Sequence, residues 1–388
     1  LQLGLLGPWR AEVPDDPAVP LGGPLQLVPN RDGLWDGADM LFVDPLGTGF
    51  SRIAPGVDSR LVRDWRRDGD YIAGALREWL ARHGRSQAPL LLMGESYGAE
   101  RAVAVADALL RGPRPARIAG IALLSQTVTT DLSLRPQHPD LANAVALPTI
   151  AATACYLGRS GLAERDPARC AEQSERPVDI HAGYRAAELA DLTGLPKARF
   201  MRAAVTIDRS EYRRSILPGR VLGMYDSRYS APLESGRRWI DPSLDPLLPP
   251  MQEAAERYVG AVLQTSRSPV DRSPYVLFDA DTHAAWRYGD HADPYGRIDI
   301  AGALRRVLHA SGASLLVAGG LFDTVGSYGG DRYLVKQLGL PPSRVTLRSY
   351  PAGHMFYLDD ASRRAFLPVL RGFIEGARKP RAMRRKAV

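Results

Sequence analysis

Apolar residues recur along this chain in two rhythms. Short uninterrupted apolar runs bounded by proline or glycine alternate with longer stretches in which apolar positions return every three or four residues. That alternation predicts a parallel sheet flanked by helices. The first run, Ala38 to Pro45 (ADMLFVDP), reads as a buried parallel strand that ends at a proline. From Asp64 to His83, Trp65, Tyr71, Ile72, Ala75, Leu76, Trp79 and Leu80 fall at helical spacing, and Gly84 follows as a C-cap. Leu90 to Met93, between Pro89 and Gly94, reads as the next strand; Glu100 to Leu110 reads as a helix, and IAGIALLS ending at Ser125 as a further strand.

Beyond Ser125 the rhythm changes. Amphipathic helical stretches and Pro-rich or Asp-rich connections run to Asp293 without a convincing series of strands. The alternation returns with a strand over Ser314 to Gly320, a helix over Tyr328 to Leu338, a strand over Arg344 to Tyr350 and a helix over Ser362 to Glu375. The expected fold class is α/β, in four parts: core residues 1–125, an inserted helical cap 126–293, core residues 294–376, and a basic disordered tail 377–388.

Composition narrows the partners. With 388 residues, 45% of them hydrophobic and 24% charged, the chain can bury a large core and has the balance of a globular protein. No run approaches the roughly 18 apolar residues of a membrane-spanning helix. The formal net charge is +7, but Arg378, Lys379, Arg381, Arg384, Arg385 and Lys386 carry nearly all of it, so the body is close to neutral and neither a nucleic acid nor a membrane is expected as partner. Cys155 and Cys170 are too few for a disulfide framework or a zinc site. Cys155 stands in the apolar run LPTIAATACYL, which favours a buried thiol over the single possible bridge. The chain starts at Leu1 without a methionine, so cytoplasmic and exported locations both stay open, as does the oligomeric state.

Chemistry enters at Gly94-Glu95-Ser96-Tyr97-Gly98, which follows one predicted strand directly and opens a helix. That is the context of a nucleophile elbow, in which small residues on either side allow a strained turn that lifts the serine hydroxyl above the sheet and over a helix N-terminus. A serine nucleophile requires a base, and the base an orienting carboxylate. His354, just past the last predicted strand, and Asp323, just past the strand before it, complete the order Ser, Asp, His, with one helix and one strand between acid and base.

These motifs resemble the serine carboxypeptidase family, particularly its bacterial branch. The similarity rests on LGLLGPWR (Leu3 to Arg10), the stretch from Asn30 through Trp35 to VDPLGTGFS (Val43 to Ser51), GESYG, LPTIAATACYLG (Leu147 to Gly158), the glycine-rich strand end before Asp323, and AGHMFYL (Ala352 to Leu358). It implies an α/β-hydrolase sheet and release of C-terminal amino acids from peptides through an acyl-enzyme, without cofactor or metal. Ser96 would be the nucleophile, His354 the base and then acid, Asp323 its orienting group, the Tyr97 backbone N–H an oxyanion donor, and Glu95 a binder of the substrate's terminal carboxylate. Two adjacent carboxyls cannot both ionise, so the resemblance also implies an acidic optimum.

The family's Asn-Gly-Gly-Pro-Gly motif, which precedes its counterpart of Leu3 to Pro8, has no match here; Gly22-Gly23-Pro24 falls on the wrong side and reads as a loop turn. With that motif, the family's central strand is expected to be missing, as in an N-terminally truncated chain, leaving inner sheet edges unpaired and catalysis impaired. Two alternatives remain: another α/β-hydrolase, an esterase or aminopeptidase-type enzyme, and a catalytically impaired relative acting as a binding protein. Asp279, Asp281, His283, Asp290, His291 and Asp293 lack metal-site spacing and read as a solvated loop. Tyr225, Tyr229 and Trp239 read as core aromatics in preference to pocket walls.

Overall fold

The structure, a computed structural model, describes residues 1–58, 63–112, 114–128, 139–175, 185–201, 207–233, 241–262, 286 and 299–378. Two short strands, β1 (Trp9–Glu12) and β2 (Gln26–Pro29), form an antiparallel ribbon near the N-terminus. The buried Asn30 amide ties the segment ahead of it by donating to the carbonyls of Leu5 and Gly7, each at 2.8 Å. Gly22 and Gly23 lie in the exposed turn between β1 and β2.

The central layer comes from apolar runs. After helix α1 (Trp65–Arg82) come β3 (Leu90–Glu95), helix α2 (Tyr97–Arg111) and β4 (Ile118–Leu124). Asp64 caps α1 by accepting from the Arg67 N–H at 3.0 Å, and Gly84 takes the left-handed conformation just past its end. The next described elements are helices α3 (Pro139–Tyr156), α4 (Pro167–Ser174), α5 (Ala186–Thr193) and α6 (Arg209–Ser215), the small antiparallel pair β5 (Arg220–Leu222) and β6 (Ser230–Pro232), and helix α7 (Leu248–Arg257). The core resumes with helix α8 (Ile300–Ser311), β7 (Ser314–Gly320), helix α9 (Tyr328–Leu338), β8 (Val345–Tyr350) and helix α10 (Asp360–Arg378).

β3, β4, β7 and β8 pair in that order as a parallel sheet. Alternation along each strand splits its apolar side chains between two cores. Ile121, Leu123, Leu315 and Val317 pack with α1, α2 and α8, while Ala122, Leu124, Leu316 and Ala318 pack with Tyr350, Phe356, Phe366 and Leu370 on the other face. Burial on both faces explains why β4 and β7 read as continuous apolar runs. A third cluster, including Leu147, Ile150, Leu192, Tyr212 and Leu222, gives the segment between β4 and α8 a core of its own.

Several expectations need correction. The strand over Ala38 to Pro45 does not form: its backbone is irregular, and Leu41 and Val43 are 45% and 46% exposed. A parallel strand is held by the ladder of its neighbours, and among the described residues β3 pairs only with β4, so this segment makes no ladder with the sheet. Asp44 instead closes a local turn, its carboxylate accepting from the Phe50 N–H at 3.0 Å and its carbonyl from the Ser51 hydroxyl at 2.6 Å. The pair β5–β6 is an element the periodicity did not predict, its strands being three residues each. Residues 377 and 378, assigned to the tail, are helical in α10, while the rest of the tail and the 279–293 cluster lie outside the described residues, as does Trp239.

The cysteines are not free thiols. Packing of α4 on α3 brings Cys155 and Cys170 together as a disulfide with a Cα–Cα separation of 6.6 Å across 15 positions. Closing a loop of that length restricts the unfolded chain by about 3 kcal/mol. Reduction with dithiothreitol should therefore lower thermal stability by a matching amount, and a calorimetric transition unmoved by the reductant would refute this.

Candidate active site

The elbow is where β3 stops. Ser96 has φ 54° and ψ −128°, a conformation strained for any residue with a side chain. Its N–H still donates to the Leu124 carbonyl at 3.0 Å, so the turn remains stitched to β4. Gly94 permits the close approach beneath: a Cβ there would lie 1.8 Å from the Gly98 carbonyl oxygen. Gly98 itself has open space around its Cβ position. Ser96 is the N-cap of α2 and Tyr97 its first residue, so the Tyr97 N–H belongs to the first turn, whose backbone donors point out of the helix N-terminus.

Asp323 and His354 meet over the ends of β7 and β8. The Nδ1–H of His354 donates to Asp323 Oδ2 at 2.7 Å, with both side chains buried. Asp323 Oδ1 accepts from the N–H groups of Val325 at 2.7 Å and Gly326 at 3.1 Å, which orients the carboxylate. With Nδ1 donating, the ring's lone pair lies on Nε2, and that atom is buried without a hydrogen-bond partner among the described residues. Ser96 Oγ does not bond to it. The three residues therefore share the C-terminal edge of one sheet, with acid and base joined and the hydroxyl separate.

Burial opposes protonation of the His354 ring, but Asp323, by its charge and its hydrogen bond, outweighs that and holds the pKa above the usual value; Glu95 and Asp331 push the same way. A raised value moves the neutral, basic form of the ring to higher pH. The acidic optimum inferred from the resemblance thus has no support in the free protein's own base.

Glu95 ends β3. Its Oε2 accepts from the Tyr357 hydroxyl at 2.5 Å, and its Oε1 is buried without a partner among the described residues. Burial, then the Glu95 charge, pushes the Tyr357 phenol well above its ordinary value, so it stays a donor. Glu95 and Tyr357 line a cavity of about 750 Å³ whose other walls include Leu76, Trp79, Met251 and Val259. A second cavity of about 50 Å³ adjoins His354 and is walled by Tyr225, Tyr229 and Arg228, so these tyrosines are pocket walls and not simply core aromatics. Tyr225 meets the His354 ring edge-on at 5.0 Å between centroids.

One polar group at the site escaped the sequence. Asp331, 2% exposed, accepts from the Gln126 amide at 2.9 Å; burial pushes its pKa up to about 8, with Asp323 adding to the rise. A lone aspartate in the first turn of a helix carries no sequence signal of this. Among the described residues no group of three or more His, Cys, Asp or Glu is placed to hold a metal ion, and no helix is long and apolar enough to cross a membrane.

Among solved structures the chain is similar to a prohormone-processing carboxypeptidase from Saccharomyces cerevisiae, at a TM-score of 0.52 and 15% identity over 96% of this chain and 78% of that one. The chain has the α/β-hydrolase fold. A serine hydrolase from the polyaromatic hydrocarbon-degrading bacterium Cycloclasticus zankles is also matched, at a TM-score of 0.32 and 11% identity over 87% of this chain and 79% of that one. No family model and no curated protein matches the chain. In this α/β-hydrolase fold the parallel order of β3, β4, β7 and β8 sets the ends of β3, β7 and β8 along one edge, and Ser96, Asp323 and His354 occupy them.

Proposed function

We propose that the chain is a serine carboxypeptidase-like hydrolase. The observation that carries the reading is the Asp323–His354 hydrogen bond, formed at the same sheet edge as a serine held in the strained elbow conformation. In this reading Ser96 Oγ attacks the scissile carbonyl and passes its proton to His354 Nε2. The Tyr97 N–H stabilises the developing oxyanion, and the ring returns the proton to the departing amine. Water repeats the sequence on the acyl-enzyme and restores the serine. Asp323 stabilises the imidazolium that forms in each half.

Glu95 makes the finer assignment reasonable. A buried carboxylate oxygen with an unfilled hydrogen-bonding position, on the wall of a largely apolar cavity, suits a substrate that offers a carboxyl group beside an apolar side chain, one of the two carboxyls holding a proton. The likeness in fold to a carboxypeptidase is in keeping with this.

A peptide with a free C-terminus should be cleaved, and its C-terminal amide should lose most of the activity. Equal turnover of both would instead favour the esterase or aminopeptidase-type reading. The absence of a bond between Ser96 Oγ and His354 favours a second reading, a binding protein on this fold. Fluorophosphonate labelling at Ser96 separates the two, because a folded chain that resists the reagent would leave only the binder.

A further inference from the structure

One segment, far from the triad in sequence, touches both of its loops. Met224 to Arg228, between β5 and β6, lies across the acid loop and the histidine loop like a strap. The Met224 carbonyl accepts from the Thr324 N–H at 3.2 Å and from its hydroxyl at 2.7 Å, and the Ser227 N–H donates to the Phe322 carbonyl at 3.0 Å. Both neighbours of Asp323 are thereby held. On the other side the His354 N–H donates to the Tyr225 carbonyl at 2.6 Å, and Arg228 Nη1 donates to the Pro351 carbonyl at 3.1 Å. The approach is close enough that a Cβ on Gly353 would lie 2.5 Å from the Tyr225 oxygen.

The strap is itself suspended from a buried carboxylate. Asp241 is 0% exposed; its Oδ2 accepts from the Met224 N–H at 2.7 Å and lies 3.7 Å from Arg213. Its Oδ1 accepts from the Ser243 N–H at 2.9 Å and from the Ser243 hydroxyl at 2.5 Å, and that hydroxyl in turn accepts from the Asp226 N–H at 3.0 Å. Two alternate peptide groups of the strap are thus fixed from above, while the groups between and beside them fix the two loops below.

We propose that Asp241 is a positioning residue, which sets the register between Asp323 and His354 through the backbone of Met224 to Arg228. Nothing else in the sequence would link Asp241 to the triad, and it touches neither reacting atom nor substrate. The inference rests on the serine-hydrolase reading for its catalytic meaning, but the geometry it controls exists whether or not the chain is an enzyme. His354 is faced by Asp323, Glu95 and Asp331, and Asp323 also faces Asp226 on the strap and the buried Arg209; of these contacts, the one whose two loops the strap holds is Asp323–His354.

The test is Asp241→Asn in the full chain. The amide keeps the shape but presents a donor, or a weaker acceptor, to the Met224 N–H. Two readouts are needed. The first is the rate of Ser96 phosphorylation by diisopropyl fluorophosphate across pH, in which the Oγ–P bond forms, the P–F bond breaks, fluoride leaves and the hydroxyl proton passes to His354. The second is the His354 pKa, followed by NMR of the imidazole. The substitution should slow phosphorylation by about 10²-fold, the cost of misplacing a catalytic group by about 1 Å. It should also lower the His354 pKa by about one unit as the opposite charge moves off.

Leu308→Ala, a cavity in the α8 core next to the start of β7 and so at the other end of the sheet, supplies the control for plain destabilisation. It should lower the melting temperature and leave both readouts in place. Ser243→Ala, which removes the Asp226 anchor and one donor to Asp241 but leaves the Met224 anchor, should move both in the same direction by less, and serves should Asp241→Asn not fold. An Asp241→Asn protein within twofold of the parent at an unchanged His354 pKa overturns the proposal, as does an equal loss in Leu308→Ala. A parent chain that resists the reagent, with the pKa still shifted in Asp241→Asn, sinks the hydrolase reading and leaves the positioning role standing.

Discussion

Asparagine at position 323 should reduce turnover by about 10⁴-fold with little change in substrate affinity. The carboxylate now receives the His354 Nδ1–H at 2.7 Å and the N–H groups of Val325 and Gly326. An amide can satisfy part of that set, but it carries no charge to stabilise the imidazolium, and it can turn its NH₂ toward the ring and impose the wrong tautomer. The pH profile gives a second readout with a defined sign. Asp323 is what holds the His354 pKa above its usual value against burial, which acts to lower it. Without that charge burial prevails, so the acid limb of the residual activity should move to lower pH than in the parent. A variant that keeps turnover within tenfold, or a limb that moves up, would show that the pair seen here does not do the chemistry.

The second large effect concerns the turn itself. A Cβ at residue 94 would sit 1.8 Å from the Gly98 carbonyl oxygen and 2.1 Å from its carbon, both backbone atoms, so no side-chain rotation can relieve the overlap. Gly94→Ala should displace the start of α2, abolish fluorophosphonate labelling and cost about 3 kcal/mol, at the upper end of ordinary overpacking. Gly98→Ala meets nothing within 4 Å and should fold with unchanged stability in urea denaturation. The two glycines of the motif look equivalent in the sequence but are not, and equal behaviour of the two alanine variants would contradict the elbow geometry.

How much could be read from the residues follows from which forces are local. The strands over Ser314–Gly320 and Ile118–Leu124 and the helix over Tyr328–Leu338 lie within a residue of where the pattern put them, because double-sided burial writes itself into consecutive side chains. Ala38 to Pro45 has the same apolar signature and no strand, since a parallel strand also requires ladder bonds to a neighbour, which this segment does not make. Ser96, Asp323 and His354 were legible because each follows directly on a strand, so the fold's alternation places them. The Cys155–Cys170 bridge was not, because it depends on how α4 lies against α3. Tyr225 reads as a core residue in the sequence because its nearest functional neighbour, His354, is distant along the chain.

The strap was illegible for a related reason, and its construction has a consequence for descent. Met224 and Ser227 reach the acid loop with peptide carbonyl and N–H groups, while Tyr225 meets the histidine loop with its ring as well as its carbonyl. What the strap requires of Met224 and Ser227 is therefore a path for the main chain, and many residue types can follow it. Neutral drift can rewrite the side chains there, and with them the surface shown to ligands, while the spacing of acid and imidazole is inherited unchanged.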